Sequence, residues 1–252
     1  YWLHYLSAVN ISPFLVNMHH LSKIVQQFLD YGPFFKKNST VYEPTLLGTG
    51  GTALNNREFF GNNPLMLVHT DNLSFCDFQA FVKSHQERPT GTVMTMMTFT
   101  TPNPQTCGTV ELDDRGVVQS FYEKVKDPPG NLANGAVYII EPEVIDFLAE
   151  LGKSFIDFST EVLPHYRGKI YTFYNAIYHR DIGTIENLMM AQNEFSQILK
   201  IPSQEDGWKA HCGLQAVEEA QKILAVFATS LEAEIMPLIT DASCKLLNRN
   251  DL

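Results

Sequence analysis

Residues 64–72 read PLMLVHTDN, a continuous apolar run that ends in a polar cluster. An apolar run of this length is typical of a strand buried on both faces, as in parallel sheets covered by helices. Polar side chains directly after it would lie at the carboxyl end of the strand, the edge where open α/β sheets bind ligands. Asp71 is therefore the first candidate site residue, although an Asp after a strand is also a common helix cap or turn residue.

Apolar runs and amphipathic patterns alternate on both sides of this stretch. Upstream, runs of strand length at 13–17 and 40–43 flank a helical pattern at 20–30. Downstream, a helical pattern at 76–86 precedes a strand-like run at 92–99. This β-α-β-α-β order predicts an α/β fold, with a Rossmann-like mixed and mostly parallel sheet sandwiched by helices.

The pattern changes near residue 107. The runs CGTVEL (107–112) and VVQSFYEKV (117–125) flank a DDRG tetrapeptide, which predicts a β-hairpin. The further predicted elements are a strand at 135–140, a helix at 141–151, strands at 170–175 and 176–183 and a helix from 184 to about 199. We expect the last two strands to pair with each other.

The end of the chain has a different character. Residues 201–212 are typical of a linker, and the residues beyond them form a helical pattern with one apolar face. We therefore divide the chain into a main domain at 1–199 and a linker with a helical C-terminal tail at 200–252. The apolar face favours packing or homo-oligomerisation through the C-terminal helices.

Composition excludes several classes of protein. The 252 residues include 18 Lys and Arg against 28 Asp and Glu, a net charge of −10, which argues against nucleic-acid and anionic-membrane partners. No apolar run approaches the roughly 18–20 residues that span a bilayer. The four cysteines (Cys76, Cys107, Cys212 and Cys244) lack the spacing of a zinc site, so we expect free thiols and a cytoplasmic protein.

Three further segments carry candidate chemistry. Asp181, in YHRDIGT, follows another predicted strand and precedes a helix. The segment GTGGT (48–52) is neither a phosphate-binding P-loop nor a dinucleotide fingerprint, since GK[ST] and GxGxxG are both missing. A tight turn and a close approach to a ligand explain its glycines equally well. Glu123 and Lys124 end a strand, where an exposed ion pair is the alternative to a binding site.

Six segments in this order resemble the sugar-1-phosphate nucleotidylyltransferase family, over about residues 1–196. They are EPTLLGTGGT (43–52), LVHTDNL (67–73), CGTVELDDRGVVQSFYEKV (107–125), NLANGAVYI (131–139), FSTEVLP (158–164) and HRDIGT (179–184). Mannose- and D-glycero-D-manno-heptose-1-phosphate guanylyltransferases look most similar. The resemblance implies attack of a sugar 1-phosphate oxygen on the α-phosphorus of an NTP, which yields an NDP-sugar and pyrophosphate.

The resemblance also implies a catalytic set and a metal. Asp71 and Asp181 match the family's metal-binding carboxylates, which would hold Mg²⁺, an ion that prefers such hard oxygen ligands. Lys124 matches the lysine that meets the sugar phosphate, where a compact cation is useful. The expected catalytic residues are therefore Asp71, Lys124 and Asp181, and the expected partners are an NTP and a sugar 1-phosphate.

Two sets of binding residues follow from the same resemblance. Glu43 and the backbone of Leu47, Gly48 and Thr49 match the segment around the base. A carboxylate there could accept both N1–H and N2–H₂ of guanine, whereas uracil offers one N–H; this is the physical hint for GTP. The positions that match sugar-phosphate contacts are Gly108, Glu123, Lys124, Asn134, Gly135 and Glu161.

The sequence also departs from the family. The amino-terminal signature, a Gly-rich loop of the GxGTRLxPLT kind, is absent, and Tyr1 stands inside an amphipathic helical pattern. We therefore expect an N-terminally truncated nucleotidyltransferase domain at 1–199. The tetrapeptide HTDN, which contains Asp71, stands where the family more commonly has Gly-Asp. The alternative to an enzyme is a catalytically silent regulatory or scaffolding relative with the same fold.

Overall fold

The computed structural model describes residues 2–31 and 38–198, which divide into two compact units. The first unit contains residues 2–12 and 43–198, and the described part of the second is 13–31 and 38–42. The predicted linker, the helical tail at 200–252 and the oligomer through it lie outside the described residues, as do Cys212 and Cys244. The predicted domain boundary near 199 therefore stays a prediction.

Ten strands and seven α-helices make up the described residues. The helices are α1 (Trp2–Ala8), α2 (Ser22–Tyr31), α3 (Gly48–Asn55), α4 (Arg57–Phe60), α5 (Phe78–Gln86), α6 (Pro142–Glu150) and α7 (Ile185–Ile198). The strands are β1 (Phe14–Met18), β2 (Asn38–Tyr42), β3 (Leu65–Val68), β4 (Asn72–Phe75), β5 (Met94–Thr100), β6 (Gly108–Leu112), β7 (Val118–Glu123), β8 (Leu132–Ile140), β9 (Ile170–Tyr174) and β10 (Tyr178–Asp181). A 3₁₀ turn (Pro104–Thr106) and a short π-helix (Phe158–Val162) complete them.

A six-stranded sheet forms the centre of the first unit. Its hydrogen-bonded order is β7-β6-β8-β5-β9, and β3 pairs with the second half of β8. Strand β8 is antiparallel to β3, β5 and β6, while β9 is parallel to β5 and β7 antiparallel to β6. Four strands therefore run in one direction and two in the other, which confirms the predicted mixed sheet. Its pairings are not mostly parallel, however, because β8 and β7 each run against their neighbours and only β5 and β9 pair in parallel. In the second unit, β1 and β2 form a parallel pair.

Helices cover both faces of this sheet. Successive residues of a strand point to opposite sides, so each strand contributes side chains to both covered faces. Met94 and Met96 of β5 are fully buried in the cluster that contains Val144 and Leu148 of α6. Thr95, between them, faces the other way and shares a 2.8 Å hydrogen bond with His85 of α5. Each large apolar side chain buried in this way stabilises the fold by roughly 1.5–3 kcal/mol.

The pairing predicted for residues 170–183 is wrong. Strand β9 lies parallel to β5, and β10 pairs antiparallel with β4, a short strand that the sequence analysis did not predict. Asn175 provides the physical reason: its side chain accepts from Ile177 N (3.0 Å) and donates to Tyr178 O (2.8 Å). This bend directs the chain away from the main sheet, so β10 and β4 form a separate two-stranded ribbon.

The described residues also bear on two other expectations, one about the cysteine thiols and one about a membrane-spanning segment. Cys76 and Cys107 are free, as expected. Over residues 2–31 and 38–198, no helix is both long enough and apolar enough to cross a membrane.

Candidate active site

The two predicted metal carboxylates converge. Asp71 lies between β3 and β4, and Asp181 ends β10, where the ribbon register places it opposite Asn72. The backbone N–H of Ile182 donates to Asp71 O at 2.7 Å. A Cβ placed on Gly183 would lie 3.0 Å from Asp181 Oδ1 and 3.5 Å from Asp71 Oδ2, so both side chains flank this one glycine. Asp71 and Asp181, 110 residues apart in the chain, thus share one exposed edge.

The two side chains at this edge offer carboxylate oxygens, the kind of donor that a magnesium ion uses. The described residues contain no cluster of three or more His, Cys, Asp and Glu side chains that could hold a metal. The protein would therefore contribute two carboxylates, Asp71 and Asp181. Mg²⁺ usually takes one or two carboxylates and completes its octahedron with water and substrate phosphates.

The glycine-rich segment forms the first turns of α3 and packs against the backbone near Ile156. Gly48 has φ +70°, and a Cβ there would lie 2.5 Å from Ile156 O. Gly50 N donates to the same carbonyl at 3.0 Å, and Ile156 N donates to Leu47 O at 2.9 Å. Backbone packing thus accounts for these glycines without a ligand.

Thr49 connects the segment predicted to surround the base with the stretch of chain that carries Asp71. Its Oγ1 lies 3.2 Å from Nε2 of His69, which follows β3 and stands two residues before Asp71. Glu43, the residue behind the guanine hypothesis, is buried, with 3% of its surface exposed. The structure therefore brings Thr49 next to the predicted metal site and places Glu43 in the interior.

Gly108 and Glu123 lie opposite each other in the β6–β7 hairpin. A Cβ on Gly108 would lie 2.7 Å from Glu123 Oε2 and 2.7 Å from Phe121 Cζ, so the glycine lets both side chains lie close to the strand. Burial raises the pKa of Glu123, Lys124 lowers it and the charge of Asp157 raises it further. Lys124 is exposed, has φ +49° and donates its N–H to Cys107 O.

Asn134 and Gly135 lie where β8 departs from regular pairing with β5. The register shifts between Met96 and Thr98, and Ala136 has φ +49°. The Gly135 carbonyl accepts from Asn72 Nδ2 at 3.4 Å, and a Cβ on Gly135 would lie 3.4 Å from Cε1 of His179. This irregular stretch therefore contacts the β4–β10 ribbon that carries the carboxylates.

Glu161, predicted to contact sugar, is already engaged by neighbouring residues. Its carboxylate forms an ion pair with Lys153 and accepts from Asp157 N at 2.9 Å. Asp157 in turn caps the π-helix, since its Oδ1 accepts from Thr160 N at 2.8 Å. The placement gives Glu161 a local structural role, and its predicted sugar contact stays a prediction.

His179 also lies at this edge, where the sequence places it without assigning it a catalytic role. Its Nδ1 lies 2.6 Å from Ser74 Oγ across the ribbon, and its ring packs against that of Phe99, tilted by 40° with centroids 4.2 Å apart. Burial lowers the pKa of His179 to about 4, against the opposing effect of Asp181. The imidazole is therefore neutral near pH 7. The strand alternation around 178–181 was the available signal, but its partner β4 was not predicted.

Comparison with known proteins assigns the chain to a family. The family model for nucleotidyl transferases matches residues 1–198. The chain therefore belongs to the nucleotidyl transferase family, which confirms the resemblance drawn from the six sequence segments.

Two curated relatives show the range within that family. A mannose-1-phosphate guanylyltransferase of Mycobacterium tuberculosis is 28% identical over 187 residues, 73% of this chain and 50% of the relative. A UTP–glucose-1-phosphate uridylyltransferase of Synechocystis is 29% identical over 150 residues, 53% of this chain and 38% of the relative. The chain thus spans half or less of the length of each.

Solved structures share the fold. A Bacillus anthracis protein described as a glucose-1-phosphate thymidylyltransferase, in complex with sucrose, has a TM-score of 0.67 at 18% identity, covering 76% of this chain and 79% of that one. HddC from Yersinia pseudotuberculosis, complexed with GMP-PN, has a TM-score of 0.64 at 19% identity, covering 77% and 83%. At this identity the likeness concerns the fold alone, which is the predicted α/β architecture.

Proposed function

We propose that this chain catalyses nucleotidylyl transfer from an NTP to a sugar 1-phosphate. A phosphate oxygen of the sugar 1-phosphate attacks the α-phosphorus, the bond to the β-phosphate oxygen breaks, and pyrophosphate leaves with its electron pair. The observation that carries the proposal is the convergence of Asp71 and Asp181 on one exposed edge, in a chain of the nucleotidyl transferase family. Such a reaction depends on alignment and charge neutralisation more than on covalent help from the protein.

The chain's residues divide this work between two ends of the site. Asp71 and Asp181 would hold Mg²⁺, which when bound neutralises phosphate charge and orients the reacting groups. Lys124, exposed after β7, supplies a compact cation for the sugar phosphate. Glu123 and Asn134 offer carboxylate and amide groups suited to sugar hydroxyls.

We further propose GTP and a manno-configured hexose or heptose as the substrates. The similarity to a mannose-1-phosphate guanylyltransferase supports this choice, while the uridylyltransferase relative makes the base an experimental question. The same proposal places the protein in the cytoplasm, where NTPs are made and where Cys76 and Cys107 would stay reduced.

The decisive experiment measures pyrophosphate release by the 252-residue chain with Mg²⁺. Four NTPs are combined with the α-1-phosphates of mannose, glucose and manno-heptose. Turnover highest with GTP and a manno-configured phosphate supports the full proposal, and turnover with another pair corrects the specificity alone. If no pair gives pyrophosphate release, catalysis by this chain is contradicted. The alternative is then a catalytically silent regulatory or scaffolding role.

A further inference from the structure

Tyr138 lies beneath the predicted sugar site, and no part of the proposed reaction yet uses it. It is 1% exposed, and its ring packs against Phe158 with centroids 4.9 Å apart. Its hydroxyl accepts a 2.7 Å hydrogen bond from Asn134 Nδ2 and shares a side-chain hydrogen bond with Ser159. One buried hydroxyl therefore joins β8 to the π-helix.

The backbone determines which way the Asn134 amide faces. The N–H of Ala136 donates to Asn134 Oδ1 at 2.9 Å, and a backbone N–H can only be accepted by the oxygen end of an amide. Nδ2 must then face Tyr138, because the two ends of the amide are opposite each other. An amide nitrogen carries two N–H groups, so the second remains available to a ligand within the described part of the chain.

Charge and burial keep this arrangement constant with pH. Burial raises the pKa of Tyr138, and the nearby carboxylates of Glu123 and Asp157 raise it further. The phenol is therefore neutral near pH 7. Glu123 belongs to the predicted sugar set, so Tyr138 stands among the groups expected to meet the substrate.

We propose that Tyr138 is a positioning residue for the sugar-phosphate site: the Ala136 N–H sets which end of the Asn134 amide faces Tyr138, and the Tyr138 hydroxyl holds Nδ2 in place so that its second N–H meets a sugar hydroxyl. The inference rests on the proposed transfer reaction for its substrate. It does not require Tyr138 itself to touch the sugar. A single hydrogen bond of this kind is worth about 1 kcal/mol, which corresponds to roughly a fivefold effect on binding.

The test compares two variants that each remove one buried hydroxyl. Tyr138→Phe is the test variant, and Tyr166→Phe is the matched control, since Tyr166 is 3% exposed and its hydroxyl donates to Glu143 O at 3.4 Å. We expect Tyr138→Phe to raise KM for α-D-mannose 1-phosphate about fivefold, with kcat and KM for GTP within twofold. Tyr166→Phe should change none of these constants, although both variants lose some stability.

A double variant separates positioning from general loosening. If Tyr138 acts through Asn134, Asn134→Ala and Asn134→Ala/Tyr138→Phe should have the same KM for the sugar phosphate. Additive increases, or an unchanged KM in Tyr138→Phe, would overturn the inference.

Two measurements keep this test distinct from that of the overall function. Hydrogen exchange of the Asn134 side-chain amide should accelerate in Tyr138→Phe and not in Tyr166→Phe, whatever the activity; equal exchange in both would overturn the orienting role. Calorimetric binding of α-D-mannose 1-phosphate is measured even if no NTP is turned over. Weaker binding by Tyr138→Phe than by the unmodified chain supports the inference without catalysis, and absence of binding by the unmodified chain contradicts it.

Discussion

Two regions of the molecule each combine a desolvated histidine with carboxylates, and they differ in how the charge is balanced. We call Asp71, Asp181 and His179 the carboxylate edge, and His85, Arg88 and Glu141 the α5–α6 cluster. In the cluster, Glu141 Oε1 lies 2.5 Å from the Arg88 guanidinium and 3.2 Å from His85 Nε2. At the carboxylate edge, neither Asp forms an ion pair with any described residue.

The neighbouring arginine shows that this difference is built into the fold. Arg180 directly precedes Asp181, yet its guanidinium is held by Glu194 of α7, 2.6 Å away. The pKa of each histidine is lowered to about 4, mainly by burial, so a shifted pKa does not distinguish the two regions. Exposed carboxylates without a protein cation do distinguish them. The proposed metal would supply the compensating charge at the carboxylate edge, whereas the α5–α6 cluster is complete by itself.

The largest expected effect is on turnover at the carboxylate edge. Asp71→Asn and Asp181→Asn should each lower kcat/KM by on the order of 100-fold, because each removes charge that would hold the metal against phosphate. The unfolding free energy should change by less than about 0.5 kcal/mol, since both side chains are exposed. Steady-state pyrophosphate release and urea unfolding measure the two quantities.

Asp114→Asn is the matched control for both variants. Asp114 is exposed at the tip of the β6–β7 hairpin, at the end of the hairpin opposite Glu123. Its replacement should leave turnover unchanged. Near-normal turnover by Asp71→Asn or Asp181→Asn at fixed Mg²⁺ would remove that residue from the proposed metal site.

The opposite pattern is expected in the α5–α6 cluster. Glu141→Ala removes the partner of Arg88 Nη2 and of His85 Nε2 at a partly buried place, so the unfolding free energy should fall by about 2 kcal/mol. Turnover per folded molecule should stay within about twofold. Glu143→Ala is the control, because Glu143 makes an exposed ion pair with Lys169 (3.5 Å) that contributes at most about 1 kcal/mol. Equal stability losses would show that the cluster is not the stronger interaction.

The smallest expected effect is the change in unfolding free energy per pH unit. The folded pKa of His85, about 4, lies below its usual value of 6.5, so the unfolded chain binds more protons between these values. Stability should therefore fall on acidification from pH 6.5 toward 4, by at most about 1.4 kcal/mol per pH unit for this one group. Replacing His85 with Gln should reduce the slope in urea unfolding across this window. An unchanged slope would show that His85 is not neutral and buried as described.

The sequence predicted the elements of this fold better than their partners. The apolar run of β3, the β6–β7 hairpin and the helices α5 and α6 follow from local periodicity and turn residues. The strand that contains β10 was predicted at 176–183, but β4 and its pairing with β10 were missed, because the four residues of β4 include two polar side chains and carry little periodicity. Its pairing depends on the Asn175 bend, and no local pattern predicts which strand a bend will face.

Some residues of the candidate site could likewise be predicted from the sequence, and others could not. Asp71 and Asp181 were identified because each follows a strand within a family-like segment, and the structure places them together. Tyr138 was not identified, because a tyrosine inside an apolar strand has the pattern of a core residue. Its contact with Asn134 comes from the irregular backbone at Ala136, whose φ of +49° is unusual for alanine.

The sequence by itself thus determined an α/β chain of the nucleotidyl transferase family and two carboxylates at strand ends. These properties are local, since burial pattern, turn chemistry and motif order are written in neighbouring residues. Only the tertiary structure decided that the glycines of α3 pack against Ile156, that Arg180 binds Glu194 and that His179 meets Ser74, 105 residues away in the chain. Such contacts depend on how distant segments pack in three dimensions, and that packing determines which charges are balanced by the protein and which face solvent.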